Sequence, residues 1–246
     1  MLKIFINGIN GKMGKEVANL VKQKENMHLL GGYDRKITHN TFYKVFSDLN
    51  QLFEKPDVII DFSVPKATLF ILDYAKENNI PMVIATTGFT KDEENIINDY
   101  SKYIPIFKSS NMSFEINLMA NIVSEVSKKL DDADIEIVET HHNQKIDSPS
   151  GTALMLANAI NKANNNKYTY NFDRQSKKEK RNSNEIGFSS IRGGNVVGEH
   201  SVFFFKGNEV LEIKHTSYSR EIFAEGSIKA AEFIVSKKSG MYSNID

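Results

Sequence analysis

Cysteine is absent from the 246 residues. That excludes disulfides, thiolate zinc and iron–sulfur sites, and every mechanism built on a cysteine nucleophile. An excess of either charge is also missing. The 31 Lys and Arg balance 31 Asp and Glu, which is not the basic surface that a phosphate backbone selects, so no nucleic-acid partner is expected. No apolar run approaches the roughly 18–20 residues that cross a bilayer, so no membrane partner is expected either. The chain enters a strand-like segment at once, Leu2–Asn7, where a leader would show a charged stretch and then an apolar one. The expectation is a cytoplasmic protein with no signal peptide. What is present is a hydrophobic fraction of 40% together with 14 glycines, enough for the core of one large domain or two small ones. The chain carries no internal repeat.

Hydrophobic periodicity divides the chain. Short β-branched runs alternate with amphipathic stretches through the first half, the pattern of a parallel sheet with crossover helices. The strands expected there are Lys3–Asn7, His28–Tyr33, Val58–Phe62, Met82–Thr86 and Ile104–Lys108. Ala67, Phe70, Ile71, Tyr74 and Ala75 follow helical spacing, with Pro65 at the first helical position, where a missing N–H costs nothing. Near Asn111 the rhythm breaks. A long helix follows, with Met119, Ile122, Val123, Val126 and Leu130 assigned to one face, then a strand, Asp134–Thr140, and a polar loop, His141–Pro149. A second helix is expected from Ser150. Residues 161–184, rich in Asn, Lys and Ser, read as an irregular, mobile connection. Ser201–Phe205 and Val210–Lys214 read as a hairpin turning at Gly207-Asn208. A last helix carries Ala224, Ile228, Ala231 and Val235, and is expected to return to the first domain. The architecture is α/β, a nucleotide-binding domain followed by a smaller α+β domain.

The first strand runs into Gly8-Ile9-Asn10-Gly11-Lys12-Met13-Gly14 and then into a helix. Gly8, Gly11 and Gly14 let the backbone turn sharply and approach a pyrophosphate, which the helix N-terminal N–H groups would meet. The spacing is G-x-x-G-x-x-G, and the same residues also suit a plain tight turn between strand and helix. About 20 residues beyond, at the end of the second strand, stand Asp34 and Arg35. A carboxylate there accepts from ribose hydroxyls, whereas an arginine pairs with a 2′-phosphate. The pair predicts tolerance of both NADH and NADPH. Thr86, Thr87 and Gly88 close another strand and suit ligand approach at the carboxyl edge of the sheet.

The densest chemistry lies in Glu139–Ala153, E-T-H-H-N-Q-K-I-D-S-P-S-G-T-A. Adjacent side chains of an extended segment point to opposite sides, so His141 and His142 should serve different partners. Lys145 adds a cation. Ser150-Gly151-Thr152, at a helix start, offers hydroxyls and N–H groups to a carboxylate. Together these groups can hold a small dianion and supply protons near neutral pH. No third ligand stands at a familiar zinc spacing, so no metal is expected. A capped helix beside surface histidines would use the same residues.

That loop closely resembles the signature of the 4-hydroxy-tetrahydrodipicolinate reductase family, also called dihydrodipicolinate reductases. The resemblance extends to G-I-N-G-K-M-G at Gly8–Gly14, D-V-I-I-D-F-S at Asp57–Ser63, A-T-T-G-F at Ala85–Phe89 and S-S-N-M-S at Ser109–Ser113. It continues through I-G-F-S-S-I-R-G-G at Ile186–Gly194 and V-G-E-H at Val197–His200. It implies a Rossmann-like parallel-sheet domain, residues 1–111 plus 219–246, and a second, smaller α+β domain, 112–218, for substrate binding and oligomerisation. It implies NADH- or NADPH-dependent reduction of a cyclic dicarboxylate on the diaminopimelate route to lysine, by a homotetramer. His141 and Lys145 would be catalytic, Lys145 as the main proton donor. His142, Lys145, Ser150, Gly151 and Thr152 would bind the substrate carboxylates. Gly8, Lys12, Met13, Asp34 and Arg35 would hold the adenosine diphosphate end of the cofactor. Thr87, Gly88, Ser110, Asn111 and Met112 would line the nicotinamide. Met112 stands where the family usually has phenylalanine, Glu115 where it has glycine, and Ser148 where alanine is common. Two other dehydrogenase classes fit less well. A semialdehyde dehydrogenase needs a thiol, and a sugar dehydrogenase should carry a lysine–proline signature at the end of a middle strand.

Overall fold

The structure, a computed structural model, describes residues 1–39 and 41–243. The last three positions of the expected 219–246 stretch, and position 40, lie outside the described residues. The chain forms two compact units, residues 1–113 with 220–246, and residues 114–219.

The first unit is built on seven strands: β1 Leu2–Asn7, β2 Met27–Tyr33, β3 Val45–Phe46, β4 Val58–Asp61, β5 Met82–Ile84, β6 Pro105–Lys108 and, near the C-terminus, β12 Gly240–Tyr242. They form one sheet in the order β12-β6-β5-β4-β1-β2-β3, with every pairing parallel. Helices α1 Lys12–Lys22, α2 Pro65–Glu77, α3 Lys91–Tyr100 and α6 Glu221–Ile234 belong to this unit. A parallel sheet buries both faces, so its strands need apolar side chains in both directions. On β1, Ile4 and Ile6 join Val17, Ala18 and Val21 of α1 and Ala224, Ile228 and Ala231 of α6 in one core. Phe5, pointing the other way, joins Ile71, Leu72 and Ala75 of α2 and Ile97 of α3. Pro65 opens α2 at its first position. Helix α3 opens on a capping box, in which Thr90 accepts from the Glu93 N–H and Glu93 accepts from the Thr90 N–H.

The chain leaves β1 toward β2 and β3 on one side and returns to build β4, β5 and β6 on the other. The strand order therefore reverses between β1 and β4. In open α/β sheets a crevice forms at that point, outside the carboxyl ends of the strands.

The second unit is a mixed five-stranded sheet, β11-β10-β7-β9-β8, with α4 Phe114–Lys129 and α5 Gly151–Ala163. Its strands are β7 Asp134–His141, β8 Thr169–Asn171, β9 Glu185–Arg192, β10 Gly198–Lys206 and β11 Glu209–Ser217. Here burial alternates. Ile135, Ile137, Val202 and Phe204 pack with Met119 and Val123 of α4 and Leu156 and Ile160 of α5, whereas Phe205 and Val210 are exposed.

Two sequence expectations need correction. Ile122 does not join Met119 and Val123 in the core. With Phe114 and Leu118 it forms an exposed row along α4, because the apolar positions span more of the helix surface than the core covers. Residues 161–184 are not uniformly irregular. Helix α5 runs to Ala163, and β8 lies parallel to β9. The Asn161 side chain closes the intervening turn through the Tyr168 backbone, donating to its carbonyl and accepting from its N–H, each at 2.9 Å. Beyond β8, Arg174 reaches Glu185 at 2.5 Å and Glu136 at 2.7 Å. Arg181 donates to the Ile135 and Glu185 carbonyls at 3.0 and 2.7 Å. The anchors are charged and amide side chains, so a low apolar content concealed an ordered segment. Among the described residues no helix is long and apolar enough to cross a membrane.

Candidate functional site

In the first unit, a cavity of about 340 Å³ opens where the strand order reverses. Asn7, Gly8 and Gly11 line it, with Tyr33 at the end of β2, Asp34 and Arg35 just after it, and Phe62, Ser63, Val64 and Ala67 beyond β4. Its geometry depends on glycine at two places. Gly8 has φ +79°, and a Cβ on it would stand 2.5 Å from the Phe62 carbonyl oxygen. A Cβ on Gly14 would stand 2.3 Å from the Gly8 carbonyl oxygen. Gly11 is the N-cap of α1 and offers no capping side chain, and no acidic residue occupies the first turn. The positive end of that helix is therefore left for an anion, with Lys12 and Lys15 beside it.

The cavity wall is tied together by a buried carboxylate. Asp61 accepts from Asn7 at 2.8 Å, from Ser63 at 2.5 Å and from Thr68 at 2.5 Å. Burial pushes its pKa up, and the hydrogen bonds from Ser63, Thr68, Thr86 and Asn7 oppose that rise. Thr86 also accepts from the Ser63 N–H at 2.8 Å, linking the end of β5 to the rim. Asp34 accepts from the Asn10 N–H at 3.3 Å, and Asn10 in turn is held by Thr38 and the Lys36 carbonyl. Arg35 is exposed.

The structure thus brings Gly8, Gly11, Asp34 and Arg35 to one cavity, with Lys12, Met13 and Gly14 on the adjoining first turn of α1. Thr87 and Gly88 follow β5, exposed. Ser110, Asn111 and Met112 follow β6. Asn111 is buried and its side chain accepts from the Ser113 N–H at 2.8 Å. The Met112 side chain belongs to the core that α1 and α6 share.

In the second unit, β7 runs one residue further than the sequence predicts and ends at His141. Glu139 and His141 therefore lie two residues apart on one strand and share a face. His141 Nδ1 is 2.5 Å from Glu139 Oε2. Arg192, at the end of β9, grips Glu139 with both terminal nitrogens at 2.7 and 2.8 Å. Burial alone would raise the Glu139 pKa. Hydrogen bonds from His141, Arg192 and Ser190 outweigh it and hold the carboxyl far below the usual carboxylate range. The Ser150 N–H donates to Glu139 at 3.2 Å. Ser150 is the N-cap of α5, its hydroxyl accepting from the Ala153 N–H.

Ser150 Oγ also lies 2.8 Å from His200 Nε2. The His200 ring stands edge-on to His141, with centroids 5.1 Å apart. Burial first, then repulsion from His141, His215 and Lys145, pull the His200 pKa down to about 3, against attraction from Glu139. His200 is thus neutral near pH 7. Lys145 donates to Asp147 at 2.8 Å, and the His142 ring accepts from the Gln144 N–H at 3.2 Å. Gly151 and Thr152 occupy the first turn of α5, where N–H groups face out of the helix. The arrangement can hold carboxylates at a helix N-terminus beside two proton-handling side chains. Glu139, Arg192 and His200 were not singled out by residue type. Each does fall inside a matching stretch, at the start of E-T-H-H and the ends of S-S-I-R and V-G-E-H.

An all-parallel sheet with a glycine turn and a strand-end carboxylate at its switch point defines a Rossmann-type nucleotide-binding protein. Residues 2–112 match the family model for the N-terminus of dihydrodipicolinate reductase, and residues 115–246 match the model for its C-terminus. The chain belongs to the dihydrodipicolinate reductase family. It is 46% identical over 249 residues to the 4-hydroxy-tetrahydrodipicolinate reductase of Caldanaerobacter subterraneus subsp. tengcongensis, covering 100% of this chain and 98% of that one. To the Brachyspira hyodysenteriae enzyme of the same name it is 51% identical over 189 residues, 77% of this chain and 81% of that one. Among solved structures, the dipicolinate-bound dihydrodipicolinate reductase from Paenisporosarcina sp. TG-14 superposes with a TM-score of 0.82 at 26% identity, covering 99% of this chain and 98% of that one.

Proposed function

We propose that this protein reduces 4-hydroxy-tetrahydrodipicolinate to tetrahydrodipicolinate on the diaminopimelate route to lysine, with NADH or NADPH. The cluster that Glu139, His141, Lys145, Ser150 and Arg192 form within one unit carries the reading, because it joins an anion-binding helix start to candidate proton donors. The same assignment gives nucleotide binding to the first unit, and substrate binding and assembly to the second.

The first unit fits a nicotinamide dinucleotide. Gly8, Gly11 and Gly14 let a pyrophosphate approach the uncapped start of α1, with Lys12 and Met13 on its first turn. Asp34 is assigned to a ribose hydroxyl and Arg35 to a 2′-phosphate. Thr86, Thr87, Gly88, Ser110, Asn111 and Met112, which follow β5 and β6, are assigned to the nicotinamide end. When bound, the cofactor supplies the hydride.

The residues of the second unit then handle charge and protons. His142, Lys145, Ser150, Gly151 and Thr152 hold the two substrate carboxylates. Ser150 also caps α5 and meets His200 through its hydroxyl, and its N–H donates to Glu139. Reduction of the conjugated ring leaves negative charge on the substrate. Lys145 Nζ delivers the neutralising proton, and His141 assists. Asp147, accepting from Lys145, holds the ammonium in place.

A homotetramer assembled through the mixed sheet agrees with the exposed Ile191, Phe205 and Val210 on strands β9, β10 and β11. Sedimentation at micromolar concentration would read out a tetramer, and a monomer would remove that part of the reading. The activity itself is tested by a coupled assay with synthase-generated substrate, following loss of nicotinamide absorbance. Turnover is expected with both cofactors, and a silent assay with each would overturn the assignment.

A further inference from the structure

The Glu139–Arg192 pair is costly as a mere fold support. Removing two charges from water is seldom repaid in stability, and apolar residues of similar volume often do as well. Glu139 is only 1% exposed, yet none of its contacts serves the apolar core. Its hydrogen bonds go to His141, to Arg192, to Ser190 and to the Ser150 N–H at the start of α5. Arg192 in turn donates to the Asp147 carbonyl at 2.7 Å, and the Asp147 side chain holds Lys145. One ion pair thus touches the supports of both proton-handling residues and of the helix start.

Resting on the reductase reading above, we propose that Glu139, clamped by Arg192, is the positioning residue for His141. It fixes the imidazole proton on Nδ1 and leaves Nε2 as the nitrogen that exchanges protons with substrate. An ionised carboxylate only accepts hydrogen bonds, so the nitrogen it meets must carry a hydrogen. The Arg192 fork presents two donors to the same carboxylate, which favours its ionised form and fixes its plane. On the far side of the ring, a Cβ on Gly198 would stand 3.1 Å from His141 Nε2, so glycine at this position of β10 leaves that nitrogen room. The groups around His141 are consistent with one defined tautomer. They are Glu139 on its own strand, Arg192 on β9, neutral His200 on β10 with His215 beyond it on β11, and the Lys145–Asp147 pair on the loop. The imidazole tautomer is set by the hydrogen bond at its other nitrogen, as in histidines oriented by a carboxylate in catalytic and metal sites.

The test reads the tautomer directly. In the full-length protein labelled with ¹⁵N-histidine, long-range ¹H–¹⁵N spectra distinguish Nδ1–H from Nε2–H rings, and a His141→Asn spectrum assigns the signal among the 6 histidines. In its neutral form the His141 ring should be the Nδ1–H tautomer. In Glu139→Gln the amide can donate to Nδ1, so the signal should move to the Nε2–H form. With substrate, kcat should fall about 10- to 100-fold, the usual loss when a partner orienting a histidine is removed. KM and NADH affinity should change less. Arg192→Lys keeps the cation without the fork, so it should retain the Nδ1–H form and lose less kcat. A wild-type Nε2–H ring overturns the proposal, as does an unchanged kcat in a Glu139→Gln enzyme whose tautomer has switched. A kcat loss greater in Arg192→Lys than in Glu139→Gln would transfer the role to the arginine. The spectra need no substrate, so failure of the reductase assignment would not be mistaken for failure of this one.

Discussion

On the proposed reading, the two units hold an anion in opposite ways. The first removes side chains: Gly8 and Gly14 let the backbone close up, Gly11 leaves the start of α1 without a side-chain cap, and a buried carboxylate, Asp61, braces the wall. The second adds them: Glu139, Arg192, His141, His200, Lys145 and Asp147 form a charged, partly buried cluster around another helix start. A backbone site is indifferent to pH and sensitive to added volume. A side-chain site is the reverse. The difference matches the chemistry assigned to each, since holding a pyrophosphate needs shape whereas delivering a proton needs groups that exchange one.

The comparison can be broken by substitutions in each unit. The largest effect is expected at Lys145. Lys145→Ala should lower kcat about 10²–10⁴-fold, the range for a positioned general acid, and raise KM, while NADH affinity in titration calorimetry stays within error. A near-normal kcat would remove the lysine from proton delivery and leave His141. In the glycine turn, volume is the lever. The Cβ of Gly14→Ala would press on backbone atoms of Gly8 and Ile9, so a loss of about 1–3 kcal/mol in stability is expected, as for other overpacked sites. NADH affinity should weaken about tenfold or more, equivalent to about 1.4 kcal/mol. Unchanged NADH affinity would mean the turn does not hold the dinucleotide.

Acidity should separate the units next. The folded-state pKa of His200 lies at about 3, below the ordinary value of about 6.5. Its neutral form therefore contributes stability that is fully present above about pH 6.5 and lost as pH falls toward 3. Between pH 7.5 and pH 5 this group alone should cost about 2 kcal/mol, read from urea unfolding. His200→Gln should flatten that slope, and an unchanged slope would show that the ring titrates freely. The smallest effect belongs to Arg35. Arg35→Ala should weaken NADPH selectively, by no more than about tenfold. Equal loss for NADH would make the arginine structural.

Much of this arrangement was legible along the chain because it rests on local rules. The parallel strands show as β-branched runs, Pro65 marks a helix start, and Gly207-Asn208 marks the hairpin between β10 and β11. The glycine turn was readable because strand, turn and helix follow one another in sequence. Some local signals went unused. The Thr90–Glu93 capping box announces α3, and the short edge strands β3 and β12 carry too few residues to show a period. Residues 161–184 misled for another reason. Their order comes from Arg174 and Arg181 reaching Glu136, Glu185 and backbone carbonyls, contacts invisible to a scan for apolar spacing.

By itself the sequence determined which residue types were available: glycines where a backbone must come close, a strand-end carboxylate, and histidines with a lysine before a helix start. These follow from covalent geometry and short-range periodicity, which depend only on neighbours in the chain. Only the tertiary structure decided what those groups are bonded to. Running β7 to His141 put Glu139 and His141 on one face, and pairing β7 with β9 and β10 brought in Arg192 and His200, 53 and 61 positions beyond Glu139. Which carboxylate stays ionised, which imidazole stays neutral and which nitrogen carries the proton are set by burial and hydrogen-bond partners. Those partners come from strands distant in sequence, so no local pattern encodes them.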